Sequence, residues 1–341
     1  MADGSQVNVL QPDDPQWMKY LSGKMDASIF HHPAWARLLE SCYGYRPFIL
    51  ARTGSGGEIE AGIPFMEISS LVSGRRWVSL PFSDYCSPLF ENQAALNDLV
   101  GELVKEKISD VELRAEYADV PGLHIFSEHV LHEAELSPDV ETVFGRVHEM
   151  HRRNIRLARA SGIRIVSGGE LSHIEAFYRL HLRTRREQGV PIQPWKFFRE
   201  LKSLFDLGLG FILLAYKDEQ CLAGAVFLHW QKTLTYKYGA SSPDGLKFRP
   251  NNLLMWSAME WGCANGYTRF DLGRTDLVNQ GLRTFKSRWG AREFPLSYAS
   301  LKPKLQHARA GRLMDLSHLV IQKSPLWVCR FTGEVLYKFF G

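Results

Sequence analysis

The chain has 341 residues, of which 45% are hydrophobic and 23% are charged, and its formal net charge is +4. This composition places it among ordinary soluble globular proteins, and the mild positive charge does not by itself indicate a nucleic-acid partner. A length of 341 residues exceeds what one hydrophobic core usually serves, so we expect two domains.

The cysteines and the N-terminal residues indicate in which cellular compartment the protein works. The five cysteines are scattered and form no CxxC pair: Cys42, Cys86, Cys221, Cys263 and Cys329. This pattern favours reduced thiols over a disulfide framework or a zinc site. The N-terminus lacks the basic and then apolar order of a signal peptide, and no apolar run approaches the roughly 20 residues of a membrane span. We therefore expect a cytoplasmic protein without a metal site.

The first half of the chain alternates helix and strand patterns. Amphipathic segments predict helices, and apolar runs between turn residues predict strands. In chain order the prediction is a strand over 6–10, helices over 15–24 and 33–43, strands over 47–52, 58–68 and 76–80, a helix over 93–107 and a strand over 111–115.

The second half repeats that order. Helices are predicted over 171–187 and 194–205, and three apolar runs between 211 and 241 predict an antiparallel meander. A helix over 251–264 follows, Gly266 ends it as a C′ residue, and a strand over 268–272 comes next. The shared order of elements indicates two copies of one α+β unit.

Residues 211–290 carry fixed positions in a fixed order. They are Asn252 and Trp256 on the predicted helix, the FDLGR run from Phe270 to Arg274, and Phe285, Lys286, Trp289 and Gly290 in and after a predicted helix over 281–288. In this order they resemble the second acyltransferase module of the FemAB family, within the GNAT superfamily. The resemblance is most specific over 211–290 and extends more weakly over 30–300.

The resemblance implies an α+β fold of two tandem GNAT-like domains, each a mixed, mostly antiparallel sheet flanked by helices, packed around a shared cleft. We expect a first domain over 1–145, a FemAB-type acyltransferase domain over 146–302 and a helical tail over 303–341. The tail contains a predicted basic helix over 304–320 and an aromatic segment over 325–341. Docking on the first domain is the favoured interpretation of the tail, and peripheral contact with a membrane is the alternative.

The resemblance also implies N-acyl transfer to an amine. This reaction needs a deprotonated amine, a stabilised oxyanion and aligned substrates. No Cys-His or Ser-His-Asp pattern occurs at a recognisable spacing, so we expect direct attack in a ternary complex. In the family, the lysine after the corresponding phenylalanine is associated with the transferred acyl group, which implies that role for Lys286. A surface lysine is the alternative.

Asp271 and Arg274 are the next candidates, Asp271 as a second catalytic residue and Arg274 as a binding residue. They end a strand and would orient the acceptor amine, and a structural ion pair is the alternative. Tyr236 and Tyr238 alternate along a strand, so we expect both on one face. The predicted substrate-binding residues from the strands, the family motif and a loop of the first domain are Tyr236, Tyr238, Asn252, Phe285, Trp289, Asp84 and Tyr85.

Arginines cluster between the two halves. Arg153 and Arg156 belong to a basic run, and the guanidinium group suits bidentate contact with phosphate. We expect these two residues to clamp a phosphate of a nucleotide sugar, of coenzyme A or of a tRNA backbone. A solvated helix face is the alternative.

The donor is either an acyl-CoA or an aminoacyl-tRNA, and no bound cofactor is expected. Many CoA-dependent GNAT enzymes hold the pyrophosphate on a glycine-rich loop, whereas this chain reads Arg249-Pro250-Asn251-Asn252 there. The expected acceptor is a nucleotide- or lipid-linked precursor, either a peptidoglycan peptide or an exopolysaccharide amino sugar, met in the cytoplasm or at the inner face of the membrane. A CoA-dependent acetyltransferase of small amines and a non-catalytic RNA-binding or scaffolding protein are the alternatives.

Overall fold

The computed structural model describes residues 6–70, 74–106, 108, 110–115, 122–303 and 321–339. The chain divides into two compact units. The first contains residues 1–130 and 294–305, and the second contains residues 131–293 and 306–341. Two units are what the length of the chain predicts.

The first unit is a mixed sheet with helices between its strands. Strands β1 to β4 are antiparallel neighbours, and β4 pairs in parallel with β6. Its elements in chain order are β1 (Gln6–Leu10), α1 (Pro15–Ser22), α2 (Pro33–Tyr43), β2 (Arg46–Thr53), β3 (Ile59–Ser70), β4 (Gly74–Val78), β5 (Leu89–Phe90), α3 (Gln93–Lys105), β6 (Asp110–Arg114) and the first part of β7 (His124–Glu135).

The second unit has a sheet of the same kind. Strands β8 to β11 are antiparallel neighbours, and β11 pairs in parallel with β12. Its elements after β7 are α4 (Val140–Arg146), α5 (Glu149–Ala160), β8 (Arg164–Gly168), α6 (Leu171–Glu187), α7 (Trp195–Asp206), β9 (Gly210–Lys217), β10 (Gln220–Trp230), β11 (Thr233–Ser241), α8 (Pro250–Ala264), β12 (Arg269–Asp276), α9 (Gln280–Ser287), the start of β13 (Arg292–Ser300) and α10 (Leu326–Leu336).

Both units follow one order of elements. A strand is followed by two helices, three antiparallel strands, a helix and a parallel strand. In the first unit these are β1, α1, α2, β2, β3, β4, α3 and β6, and in the second β8, α6, α7, β9, β10, β11, α8 and β12. The predicted α+β class and the tandem repeat are therefore confirmed.

The boundaries between the units differ from the predicted ones at 145/146 and 302/303. Strand β7 begins in the first unit and ends in the second, and β13 begins in the second unit and ends in the first. Within the first unit β13 pairs antiparallel with β6, with Tyr298 opposite Arg114. The predicted boundaries assumed that the chain passes from one unit to the next in a linker. It passes between the units inside the strands β7 and β13 instead.

Helix α8 lies at the centre of the core of the second unit. It packs between α5 and the strands β9 and β10, and Leu254, Trp256 and Met259 are buried along it. A helix covered on most of its circumference carries apolar residues all round instead of one stripe. Helix α8 ends before Gly266, whose φ of 74° fits the predicted C′ glycine.

The C-terminal helix α10 lies on the second unit, which corrects the prediction that the tail docks on the first domain. Glu334 accepts a hydrogen bond from the N–H of Trp195 at 2.8 Å, and Gly333 packs against the backbone of Ile192. The apolar pattern predicts that this helix buries one face but does not specify the partner. The predicted helix over 304–320 lies outside the described residues. In the part of the chain that the structure describes, no helix is both long and apolar enough to cross a membrane.

Candidate active site

The parallel strands β11 and β12 separate part-way along their length. They pair over three residues, the last being Thr235 opposite Asp271. Beyond that pair β11 continues to Ser241 and β12 to Asp276. Where a parallel pair separates, it leaves an opening walled by backbone groups that no longer bond across the pair. This opening is the candidate site.

A β-bulge on β11 turns its two tyrosines to opposite faces. Val226 lies opposite Tyr238, and the next residue, Phe227, lies opposite Tyr236, so Lys237 is an extra residue. The Tyr236 ring packs on Phe227 toward the α8 core, whereas Tyr238 packs against aromatic residues of α6 and α7. The prediction of a shared face is wrong because the bulge breaks the two-residue period of the strand.

A cavity of about 210 Å³, here called the β11 cavity, opens beside the bulge. It is smaller than the roughly 300–1,000 Å³ of pockets that hold whole drug-sized ligands. A short acyl or aminoacyl group fits this volume better than an entire donor does. The residues that give its lining both polar and apolar character include Thr184, Gln188, Tyr236, Gly239, Asn251 and Phe285.

The phenol of Tyr236 lies directly over Gly239 in the wall of the β11 cavity. A Cβ atom at position 239 would overlap the Tyr236 hydroxyl, so the missing side chain makes room for the phenol. Burial raises the pKa of Tyr236 to about 12. The residue therefore remains a neutral O–H donor at neutral pH, suited to a carbonyl oxygen.

Lys286 is buried and holds a bend in β12. Its Nζ donates hydrogen bonds to the carbonyl oxygens of Gly273 at 2.9 Å and Arg274 at 2.8 Å. Gly273 has a φ of 73°, a conformation that favours glycine and turns the strand backbone. The side chain of Lys286 is almost fully enclosed, at 5% exposure. The alternative of a surface lysine is therefore wrong, and Lys286 follows directly on Phe285, which lines the β11 cavity.

Asp271 acts on the same bend from the other side. It is fully buried, and its carboxylate accepts hydrogen bonds from the N–H of Gly273 at 2.7 Å and from the Thr235 hydroxyl at 3.5 Å. Asp271 and Lys286 thus bond the N–H and the carbonyl of one glycine. This geometry supports a positioning role for Asp271, and its predicted catalytic role stays a prediction.

His151 joins three elements beneath the site. Its Nε2 lies 3.2 Å from the carbonyl oxygen of Phe285, and its Nδ1 lies 3.1 Å from Nδ2 of Asn252. Since a carbonyl can only accept, Nε2 carries the proton and Nδ1 accepts from Asn252. Burial lowers the pKa of His151, and the Arg288 cation lowers it further. Both effects favour this neutral form. The buried Trp289 packs its ring on His151 at 4.5 Å.

We expect Asn252→Ala to destabilise the second unit. The change leaves the buried Nδ1 of His151 without its donor, which should lower the free energy of unfolding by about 1–3 kcal/mol. Urea denaturation measures this. Asn265→Ala is the matched control, because the Asn265 amide bonds to Trp261 O at an exposed helix end, and it should cost well under half as much. Equal costs for the two variants would contradict the role given to His151.

The fold of the second half is confirmed by comparison with known proteins. Residues 145–287 match the acetyltransferase (GNAT) domain family. This part of the chain is a GNAT domain. A shorter stretch of 75 residues, which is 20% of this chain, is 36% identical to a lipid II:glycine glycyltransferase of Staphylococcus saprophyticus subsp. saprophyticus. The match spans only 18% of the length of that relative.

Solved structures extend the likeness beyond the GNAT domain. FemX has a TM-score of 0.65 at 15% identity, over 79% of this chain and 90% of FemX. The C-terminal domain of a putative lysylphosphatidylglycerol synthetase from Agrobacterium fabrum has a TM-score of 0.56 at 14% identity, over 90% of this chain and 95% of that domain. A tandem GNAT protein from the clavulanic acid biosynthesis pathway has a TM-score of 0.54 at 10% identity, over 88% of this chain and 100% of that protein. At these identities the likeness shows the fold alone. Together with the family match and the glycyltransferase relative, that fold confirms the resemblance to FemAB-like tandem GNAT proteins.

The helix of the GNAT domain that carries Lys286 is anchored by a second histidine. The Arg283 guanidinium makes two hydrogen bonds to the carboxylate of Glu293, at 3.0 and 2.7 Å, and His132 Nε2 lies 3.1 Å from the same carboxylate. Burial lowers the pKa of His132, and the Lys286 cation lowers it further. Neither His132 nor His151 carries a sequence signal, because their partners lie 161 and 134 residues away along the chain.

Arg274 and Tyr238 do not line the β11 cavity. Tyr238 packs on His181 at 5.8 Å, and burial lowers the pKa of His181 to about 3, so that ring is neutral. Arg274 is half-buried and follows the Gly273 bend. Burial raises the pKa of Tyr337 of the C-terminal segment, and the Arg274 cation opposes that rise. Their binding roles stay predictions.

The remaining predicted residues do not line the β11 cavity. In the first unit the backbone oxygen of Asp84 accepts a hydrogen bond from Tyr298 at 2.7 Å, and Tyr85 packs edge-on against Phe30. Arg153 and Arg156 are exposed on α5 of the GNAT domain. The acceptor and phosphate roles predicted for these four residues therefore remain predictions.

Proposed function

We propose that the chain transfers an acyl or aminoacyl group to an amine of a cell-envelope precursor, either a peptidoglycan peptide or an amino sugar of an exopolysaccharide. The observation that carries the proposal is the separation of β11 and β12 beside the β11 cavity. The names of similar proteins support it, since a lipid II:glycine glycyltransferase and FemX are among them. These names describe those proteins, and the acceptor of this chain is our inference.

The proposed step is direct attack by the acceptor nitrogen on the donor carbonyl carbon. A C–N bond forms, and the C–S bond of a thioester or the C–O bond of a tRNA ester breaks. One proton leaves the amine and ends on the departing thiolate or ribose oxygen. The charge that develops on the carbonyl oxygen is the part that a protein cation or hydroxyl stabilises most.

The residues of the GNAT domain divide these tasks. Tyr236 donates its O–H to the carbonyl of an acyl group in the β11 cavity, and Lys286 supplies positive charge at the β12 side of the opening. Asp271 keeps the bend of β12 in place for Lys286. Asn252 orients His151, and His151 bonds to the carbonyl of Phe285. This contact fixes the helix that carries Lys286.

An aminoacyl-tRNA is the favoured donor, and an acyl-CoA is the second candidate. Helix α8 begins with Pro250, which has no N–H, and Arg249 precedes it with a φ of 57° and no side-chain cap. The N-terminus of α8 therefore offers fewer amide donors to a pyrophosphate than a glycine-rich turn would. The exposed Arg153 and Arg156 suit the phosphates of either donor.

A thermal-shift comparison of the full-length chain tests the proposal. The ligands are acetyl-CoA, longer acyl-CoAs, charged tRNA, a UDP-linked muropeptide and a UDP-amino sugar, because a ligand that binds only the folded chain raises the Tm. A shift with a donor and a shift with an amine-bearing precursor are expected. If only RNA shifts the Tm, regardless of charging and with steep salt dependence, the chain is instead a non-catalytic RNA-binding protein.

A further inference from the structure

Helix α10 presents two aromatic side chains to solvent. Trp327 and Phe331 are 72% and 64% exposed. Because they are four residues apart, they lie on one face of the helix. Side chains of this size are usually covered, and paired exposed ones mark a surface that meets another apolar phase.

The opposite face of α10 is fixed to the second unit. Cys329 is buried, and Gly333 packs against the backbone of Ile192. Near the end of the helix, seven residues after Trp327 and so on the side of the aromatic pair, Glu334 accepts a hydrogen bond from the N–H of Trp195, the first residue of α7. Turning Trp327 inward would break these contacts. The aromatic pair is therefore a fixed part of the surface.

Cations flank the aromatic pair. Arg330 follows Trp327 by three residues on the helix, Lys323 lies just before the helix and Lys338 just after it, and all three are exposed. Among the described residues 321–339, Glu334 is the one acidic residue. Its carboxylate accepts a hydrogen bond from the N–H of Trp195. Aromatic rings bordered by positive charge complement a surface with an apolar layer beneath anionic groups.

We propose that this stripe, formed by Lys323, Trp327, Arg330, Phe331 and Lys338, binds the surface of an anionic phospholipid bilayer. The two rings enter the interfacial region, and the cations face the lipid phosphates. A second copy of the chain is the competing occupant, but two copies of this stripe would bring like charges together. The inference does not depend on the proposed function, although a chain held on a bilayer would meet lipid-linked acceptors there.

Vesicle sedimentation of the full-length chain tests this inference. We expect binding to phosphatidylglycerol-phosphatidylcholine vesicles, and weaker binding to phosphatidylcholine alone or at high salt, since the attraction is screened over about 10 Å at 0.1 M salt. The double variant Trp327→Ser/Phe331→Ser should lose at least about tenfold in affinity for both kinds of vesicle. Lys323→Glu/Arg330→Glu should lose about tenfold or more on the anionic vesicles alone.

Matched controls come from the same unit. Leu207→Ser removes a large apolar side chain that is 63% exposed, and Arg179→Glu reverses an exposed charge on α6. Both should bind vesicles like the wild type. If the wild type binds no vesicles, or if the variants bind as well as the wild type, the proposal is overturned. A dimer without lipid that Trp327→Ser/Phe331→Ser abolishes would also overturn it. Should the aromatic variant fail to fold, the charge variant carries the test.

Discussion

Lys286→Met is expected to lower the rate of acyl transfer by about 10²–10³, the usual cost of losing one preorganised stabiliser of the developing oxyanion. It should also destabilise the fold, because the carbonyl oxygens of Gly273 and Arg274 lose a buried donor. Each unsatisfied carbonyl costs about 1–3 kcal/mol. The rate is measured as kcat at a temperature where the variant is folded, and the stability is measured by urea denaturation.

Lys232→Met is the matched control for that variant. Lys232 also donates from Nζ to a backbone carbonyl, that of Gly266 at 3.3 Å, but it is exposed and lies outside the lining of the β11 cavity. We expect normal kcat and nearly normal stability. If Lys286→Met loses stability but keeps its kcat, the lysine only holds the bend in β12, and its catalytic assignment is wrong.

Gly239→Ala is expected to lower kcat/KM for the donor by about 10–100-fold, because small displacements of a positioned group can cost about two orders of magnitude. The added Cβ overlaps the Tyr236 hydroxyl, so the phenol must move into or away from the β11 cavity. The backbone itself accepts alanine, since Gly239 does not adopt a positive φ. Steady-state kinetics with varied donor concentration measure the effect.

A second substitution isolates the cause of that loss. Tyr236→Phe removes the oxygen that the new Cβ meets, so Gly239→Ala/Tyr236→Phe should recover part of the donor affinity that Gly239→Ala loses. Gly145→Ala is the control for adding a methyl group to this unit, because a Cβ there meets nothing within 4 Å. If the double variant binds the donor no better than Gly239→Ala, the β11 cavity is not where the acyl group lies.

Local signals in the sequence predicted most of the fold. Pro33 at the first turn and Gly44 in the left-handed region bound α2 where the sequence placed it. The order of elements revealed the repeat. Each unit covers its sheet with helices, so the spacing of apolar residues changes between the strand period of two and the helix period of 3.6 in the same order in both halves. The crossing of the chain in β7 and β13 had no such signal, since a strand pattern does not identify its partner strand.

The candidate site was predicted less completely than the fold. The FDLGR run and Lys286 were found through the family motif, and both lie at the bend of β12. The bulge at Lys237 was missed. One extra residue moves the side chains after it to the other face of the strand, but it leaves the apolar composition of β11 unchanged. His151 was missed because its contacts are long-range, and the run around it was interpreted through its arginines.

The most direct measurement is a transfer assay read by mass spectrometry. The full-length chain is incubated with an aminoacyl-tRNA or an acyl-CoA and with a UDP-linked muropeptide or UDP-amino sugar, with Lys286→Met alongside. With the wild-type chain we expect the acceptor to gain the mass of the acyl group at its amine, and with the variant we expect far less product. The absence of product with every pairing of these donors and acceptors, from a folded chain, would contradict it.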